Sequence, residues 1–215
     1  MSGNSPDEAA AGSRRPIAAR DSGFARSLAR LALRTSISPN QISSASVGFA
    51  AIGAMALIAA PAAPLLYIVA ILGVQLRLLC NLLDGMVAVE GGRGSALGPL
   101  FNEFPDRIAD SLLIVALGYA ADAPSVGWAA ALLAALTAYV RAFGGALGLP
   151  QDFRGPMAKQ HRMAVLTAAC AIALIEAYAH GASHALRIAV WIVAAGSLAT
   201  CVARTMEIAR RLQEK

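Results

Sequence analysis

The chain has 215 residues, of which 57% are hydrophobic and 14% are charged, and its formal net charge is +5. This balance excludes an ordinary soluble domain, in which about 25% of residues are charged. The positive charge does not require a nucleic-acid partner, because basic residues beside membrane-spanning segments normally meet anionic lipid head groups. The composition therefore predicts an integral membrane protein.

The residues before the first apolar segment form two different stretches. Residues 1–20 are rich in Ser, Gly, Ala, Pro and Arg and lack the apolar core of a cleavable signal peptide, which predicts a disordered tail. Residues 21–38 predict an amphipathic helix at the membrane interface, because Phe24, Leu28 and Leu31 share one helical face. A basic residue recurs at every fourth position of this stretch: Arg26, Arg30 and Arg34. The alternative is a charged segment before the first span that only sets the orientation of the protein in the membrane.

Six apolar segments between residues 39 and 206 predict six transmembrane helices. Each approaches the length of about 20 residues that the hydrocarbon core requires. We place them at about 40–60, 64–88, 98–121, 125–148, 162–180 and 184–204. Lys and Arg concentrate before the first segment, in alternate loops and in the tail 207–215, so the positive-inside rule places both termini in the cytoplasm. The predicted fold class is an all-α polytopic membrane protein.

Polar residues recur at helical spacing at the cytoplasmic ends of the second and third segments. The second segment carries Asn81, Asp84, Gly85 and Ala88, and the third carries Gly98, Asn102, Asp106 and Asp110. Uncompensated charge is costly in a membrane, and carboxylate and amide oxygens suit hard cations such as Mg²⁺ or Mn²⁺. This stretch contains no thiol or imidazole, so zinc is not favoured. The pattern predicts a metal or proton site.

These positions resemble the signature of the CDP-alcohol phosphotransferase family. That signature is Asp, two residues, Asp-Gly, two residues, Ala-Arg, eight residues, Gly, three residues, Asp, three residues, Asp. Here Asn81 and Asn102 replace the first and third aspartates, and Val89 stands at the arginine position. The segment 37–43, ISPNQIS, is similar to the family's entry into its first span. The resemblance covers the chain from about residue 24 and implies six membrane helices, a homodimer and a bacterial inner membrane with the active site facing the cytoplasm.

The resemblance also implies an activity and roles for the signature residues. A phosphatidyl group would pass from a CDP-linked lipid, in the first place CDP-diacylglycerol, to an alcohol, with release of CMP and with Mg²⁺ or Mn²⁺ as cofactor. Asp106 corresponds to the general base. The metal ligands correspond to Asn81, Asp84, Asn102 and Asp106. The lipid diphosphate and cytidine would lie against Gly85, Ala88 and Gly98.

Cations inside or beside apolar sequence complete the predicted site, because such residues usually face a polar cavity. Arg93, in the loop after the second segment, is a candidate for the CDP-lipid phosphates, with a topogenic charge as the alternative. Candidates for the acceptor or for phosphate are Arg77, Arg141, Lys159 and Arg162. A solvated basic loop is the alternative for the last two. Asp110 is expected to pair with a buried arginine, with a support for the metal ligands or a spare ligand as the alternatives.

Two other classes of protein remain open at this stage. A small transporter would also carry Asp and Arg within the membrane, but the acids here crowd the inner ends of two neighbouring helices, and no inverted repeat is visible. A non-catalytic relative that binds CDP-lipid is motivated by Asn81, Asn102 and Val89. Metal-dependent release of CMP would separate this relative from an enzyme.

Overall fold

The computed structural model describes residues 23–179 and 184–214, and the predicted disordered tail 1–20 lies outside them. The described residues form helices connected by short loops, without a strand, and this confirms the all-α class. The helices are α1 (Gly23–Leu33), α2 (Pro39–Ala59), α3 (Leu66–Glu90), α4 (Gly98–Ala120), α5 (Pro124–Ala146), α6 (Lys159–Ala179) and α7 (His184–Gln213).

Five of these helices, α2, α3, α5, α6 and α7, are long and apolar enough to cross a membrane. The sixth long helix, α4, has 23 residues, which is a sufficient length. It is set apart because its charged residues lie close together within the helix, whereas those of α7 lie toward its two ends. The charged residues of α4 are Glu103, Asp106, Arg107 and Asp110. Six apolar segments were expected and six long helices are found, and the polar one among them carries the carboxylates of the predicted site.

The helix ends follow local signals in the sequence. Ser38 caps α2 in a capping box, in which its hydroxyl accepts from the Gln41 backbone N–H at 3.2 Å and its own N–H donates to the Gln41 side chain at 2.9 Å. Two ends differ from the prediction. Helix α6 begins at Lys159 instead of 162, and α7 continues to Gln213 instead of ending at 204. The extension of α7 is stabilised because Glu207 pairs with Arg210 and Arg211, each at 2.7 Å, on the next turn.

Two pairs of glycines allow neighbouring helices to approach closely. Gly53 of α2 faces Gly73 of α3, and a Cβ atom on Gly73 would lie 2.7 Å from the Gly53 Cα and 2.8 Å from the Phe49 carbonyl oxygen. Gly118 of α4 and Gly127 of α5 meet in the same way. Small residues are used for such contacts in membranes, where dispersion between closely packed helices supplies much of the association energy. Both contacts lie away from the helix ends that carry the predicted site residues.

Helix α1 packs against the site end of α3. Ala29 is fully buried and clusters with Met86, beside the partly buried Leu82 and Leu83. The loop after α3 is tied to the end of α1, because the Arg93 guanidinium donates to the carbonyl oxygens of Leu33 at 3.2 Å, Thr35 at 2.8 Å and Ile37 at 3.3 Å. Arg93 therefore supplies donors to the unpaired carbonyls that follow a helix end.

The Gly53–Gly73 contact makes a prediction about stability. Gly73→Ala should destabilise the protein by about 1–3 kcal/mol, because the new methyl group meets the backbone of α2 and forces the helices apart. Thermal unfolding of purified protein in detergent measures the effect. The control is Gly48→Ala on α2, where a Cβ atom meets nothing within 4 Å and helix propensity alone should maintain or raise stability. Equal melting temperatures for the two variants would contradict the proposed close packing.

Candidate active site

The candidate site lies where one end of α3, the first turns of α4 and the start of α6 meet. Helix α3 presents Arg77, Asn81 and Asp84 along one face, because their spacing of four and three residues matches the helical repeat. Helix α4 presents Asp106 and Asp110 one turn apart. Helix α6 contributes two cations from its first turn, Lys159 and Arg162. The three acids and two of the cations, Arg77 and Arg162, are buried.

Asp106 is contacted on both carboxylate oxygens. Its Oδ1 accepts from the Asn81 amide nitrogen and from Arg77 Nη2 at 3.2 Å. Its Oδ2 accepts from Lys159 Nζ, with Arg107 Nη2 further away at 3.8 Å. Asp106 is only 7% exposed, so these charge-assisted bonds act in a medium of low dielectric. The carboxylate is thereby held in one orientation, with Oδ2 toward the half-buried lysine.

Asp110 lies one turn deeper and links two buried arginines. Arg77 Nη2 lies 2.6 Å from Oδ1, and Arg162 Nη2 lies 2.7 Å from Oδ2. Arg162 also donates through Nη1 to the Met157 carbonyl oxygen at 2.8 Å. The expected pairing of Asp110 with a buried arginine is confirmed, and it involves two. Arg77 contacts both aspartates, so one guanidinium connects the deeper ion pair to Asp106.

Asp84 has a different environment from the other two acids. Its Oδ2 accepts from the Ser43 hydroxyl at 2.5 Å, and it makes no ion pair among the described residues. Ser43 belongs to α2, and its hydroxyl also lies 3.1 Å from the Pro39 carbonyl oxygen. A buried carboxylate without a cationic partner is costly unless a cation is bound. Asp84 therefore fits a hard divalent cation better than any other carboxylate here.

Several predicted site residues lie at the edge of this cluster or outside it. Asn102 is exposed on the first turns of α4, and Gly98 begins that helix. Gly85 and Ala88 are half-buried on α3. The remaining candidate, Arg141, contacts other groups: it pairs with Glu103, donates to Gln151 Oε1 at 2.7 Å and lies 5.4 Å above the Phe153 ring.

Two residues that the sequence did not indicate, Ser43 and Pro105, lie beside the carboxylates of the site. Ser43 reaches Asp84 from α2, and its only signal was its place in the segment 37–43. Pro105 lies within α4 directly before Asp106 and is buried, and a proline at this position removes one helical hydrogen bond. The sequence signal for this feature is a proline directly before an acidic residue within an apolar segment.

Known proteins of similar sequence are synthases of inositol lipids. No family model matches the chain. Phosphatidylinositol phosphate synthase of Corynebacterium glutamicum is 30% identical over 185 residues, which is 82% of this chain and 80% of that protein. Archaetidylinositol phosphate synthase of Aeropyrum pernix is 33% identical over 126 residues, covering 58% of this chain and 65% of the relative.

Solved structures give the same fold. Phosphatidylinositol phosphate synthase of Mycobacterium tuberculosis with CDP-DAG bound superposes with a TM-score of 0.73 at 20% identity, over 87% of this chain and 94% of that one. The same synthase in complex with manganese and citrate gives a TM-score of 0.72 at 21% identity, over 86% and 88% of the two chains.

Fold and relatives together define a membrane-embedded transferase of phospholipid synthesis. The chain belongs to the CDP-alcohol phosphotransferase family. It transfers a phosphatidyl group from a CDP-linked lipid to an alcohol acceptor and releases CMP, with a divalent cation, Mg²⁺ or Mn²⁺, as cofactor. The resemblance seen in the signature segment is confirmed at the level of the family.

The Asp110 linkage predicts a large effect on folding. Asp110→Asn should destabilise the protein by about 3–5 kcal/mol, because it leaves the buried guanidinium groups of Arg77 and Arg162 without their shared counter-charge. Thermal unfolding in detergent measures the loss. The matched control is Glu214→Gln, which breaks an exposed pair with Arg210 and should cost less than about 1 kcal/mol. Similar losses in both variants would contradict the structural role of Asp110.

Proposed function

We propose that the enzyme transfers the phosphatidyl group of CDP-diacylglycerol to a phosphorylated polyol, in the first place an inositol phosphate. The observation that carries this proposal is the contact of Lys159 with Asp106 Oδ2. It places a half-buried cation, suited to an acceptor phosphate, directly beside the carboxylate that corresponds to the family's base. The names of the relatives, which are phosphatidylinositol phosphate and archaetidylinositol phosphate synthases, support this class of acceptor.

The geometry of Asp106 assigns different tasks to its two oxygens. Oδ1 accepts from Arg77 and Asn81, so these residues orient the carboxylate. Oδ2 faces Lys159, which exchanges this contact for the acceptor phosphate when the acceptor binds. The acceptor hydroxyl then lies beside Oδ2, which takes its proton as the new oxygen–phosphorus bond forms and the bond to CMP breaks. CMP leaves as the anion.

A divalent cation would be held by the carboxylate of Asp84, with the carbonyl oxygens of Asn81 and Asn102 as further ligands. Both oxygens of Asp106 already accept from protein donors, so we assign Asp106 to the base and not to the metal. When bound, it neutralises the diphosphate and stabilises negative charge on the leaving CMP. The asparagines retain an oxygen donor at each position, so we regard the chain as an active variant of the family signature. The lipid diphosphate and cytidine lie against Gly85, Ala88 and Gly98, where short side chains leave room.

The arginines predicted to belong to the site differ in the groups that they contact. Arg77 and Arg162 are buried in ion pairs, so they position Asp106 instead of meeting the acceptor directly. Arg93 is engaged with the end of α1, and a contact with a lipid phosphate would replace those bonds. Arg141 lies on the acceptor side, where it links Glu103 of α4 to Gln151 of the loop before α6.

The arrangement in the membrane is part of the same proposal. All six long helices span the bilayer, α1 lies at the interface, and the last turns of α7, 207–213, extend on the cytoplasmic side. The basic residues beside the site end favour a cytoplasmic site in a bacterial inner membrane. The family resemblance favours a homodimer. An interfacial α1 is supported by its basic residues and by the burial of Ala29 against α3.

The acceptor class can be tested with purified enzyme in liposomes that contain CDP-diacylglycerol and Mn²⁺. We expect CMP and a phosphorylated inositol lipid with inositol phosphate, and at most traces with inositol, because only the phosphorylated acceptor pairs with Lys159. Excess EDTA should abolish the release of CMP, and added Mn²⁺ or Mg²⁺ should restore it. Mass spectrometry identifies the lipid. Equal turnover of inositol, or full activity in EDTA, would contradict the proposal.

Substitution of Asp106 and substitution of Asp84 should impair different steps of the reaction. Asp106→Asn should reduce turnover about 10²–10⁴-fold with CDP-lipid binding retained, because a base acts in the chemical step. Asp84→Asn should weaken the binding of Mn²⁺ and of CDP-lipid together, because a metal ligand also organises the ground state. Single-turnover kinetics and lipid-binding assays separate the two effects. The control is Asp122→Asn at the opposite end of the bundle, which should behave as the wild type. Near-normal turnover in Asp106→Asn would remove it from the role of base.

A further inference from the structure

The protein itself places cationic groups on Asp106 from two sides. Arg77 is fully buried, and its Nη2 atom contacts Oδ1 of both Asp106 and Asp110. Lys159 contacts the other oxygen of Asp106. Asn81, at the first signature position, presents its amide nitrogen to Asp106 and thus acts as a donor there. Asp106 therefore has no oxygen that is free of a protein donor, whereas Asp84 makes no ion pair among the described residues.

The balance of charges then limits how many divalent cations the site can bind. The cluster holds three carboxylates and three cations: Asp84, Asp106, Asp110, Arg77, Lys159 and Arg162. A nearby fourth cation, Arg107, is shared with Glu103. One divalent cation offsets the double negative charge of a lipid diphosphate. With CDP-lipid bound and no acceptor present, a second would leave an excess of two positive charges at a buried site, where uncompensated charge costs several kcal/mol.

Among the described residues, the buried guanidinium of Arg162 lacks a hydrogen-bond partner only at Nε, whereas that of Arg77 lacks partners at two nitrogens. The Nε and Nη1 atoms of Arg77 are buried and have no hydrogen-bond partner among the described residues. Each unsatisfied buried donor costs about 1–3 kcal/mol. Arg77 stays buried beside two aspartates in spite of this cost. This favours a functional role for its positive charge next to Asp106.

We propose that Arg77 takes the place of a second divalent cation beside Asp106, so that this enzyme binds one divalent cation per chain, at Asp84. Two-metal sites in phosphoryl transfer hold their ions about 3.5–4 Å apart between shared carboxylates. Here Asn81 and Asn102 supply no negative charge for a second ion, and the guanidinium supplies the positive charge that the ion would bring. Arg77 is thus a positioning residue for Asp106. The inference rests on the proposed metal-dependent function.

The test is the number of Mn²⁺ ions bound per chain, measured by equilibrium dialysis and by electron paramagnetic resonance on purified protein with CDP-diacylglycerol. The wild type should bind one ion. The double variant Asn81→Asp with Asn102→Asp should also bind one, more tightly, because Arg77 still neutralises Asp106. Adding Arg77→Met to the double variant should raise the number to two, with spin coupling between the ions.

The controls separate Arg77 from a general loss of positive charge. Arg107→Met in the double variant removes a cation that lies 3.8 Å from Asp106 and should leave the number at one. Arg77→Lys in the same background retains the charge and should also give one. Gel filtration and thermal unfolding report whether each variant is folded.

Each outcome decides whether the enzyme binds one divalent cation per chain or two. Two ions in the wild type or in the double variant would overturn the inference, and so would one ion in the folded triple variant. If the triple variant does not fold, one ion in the wild type and in the double and Arg77→Lys variants supports it, and two ions in any of them overturns it. Release of CMP by protein that binds no Mn²⁺ would instead contradict the proposed function, so the two failures are distinguishable.

Discussion

The structure of the site depends on the need to neutralise charge where little water is present. Asp110 cannot be buried alone, so it is held between Arg77 and Arg162, which come from different helices. This bridge joins α3, α4 and α6 through three side chains. Asp106 is then placed one turn away, in contact with the same Arg77. The orientation of the candidate base is therefore a consequence of the way in which a deeper acid is neutralised.

The sequence predicted the parts of this arrangement that depend on periodicity. Apolar segments of sufficient length gave the long helices, and spacing by three and four residues placed Asn81 and Asp84 on one face and Asp106 and Asp110 on another. These features are local, because a helix fixes the relative directions of residues within a few turns. The capping box at Ser38 is equally local, and the observed helix begins at Pro39, next to the expected start at about residue 40.

The pairing of charges between helices was not predictable in the same way. Arg162 was a candidate for contact with an acceptor, and in the structure it is buried against Asp110, because the start of α6 at Lys159 points both cations toward α4. Arg93 was a candidate for contact with the lipid phosphates, and in the structure it contacts carbonyl groups after α1. Both outcomes depend on which helices are neighbours. The extension of α7 depends likewise on Glu207, which also pairs with the distant Arg154 at 2.8 Å.

The two glycine contacts determine where the bundle can change shape. Gly53–Gly73 and Gly118–Gly127 bring backbones together away from the site, so α2 with α3 and α4 with α5 are joined there by main-chain atoms. At the site end, α3, α4 and α6 are separated by long polar side chains. Side chains can change rotamer without disrupting a helix, whereas apposed backbones cannot move apart without loss of their contact. We therefore expect the polar end to accommodate the exchange of one bulky lipid for another, and the opposite end to serve as a fixed frame.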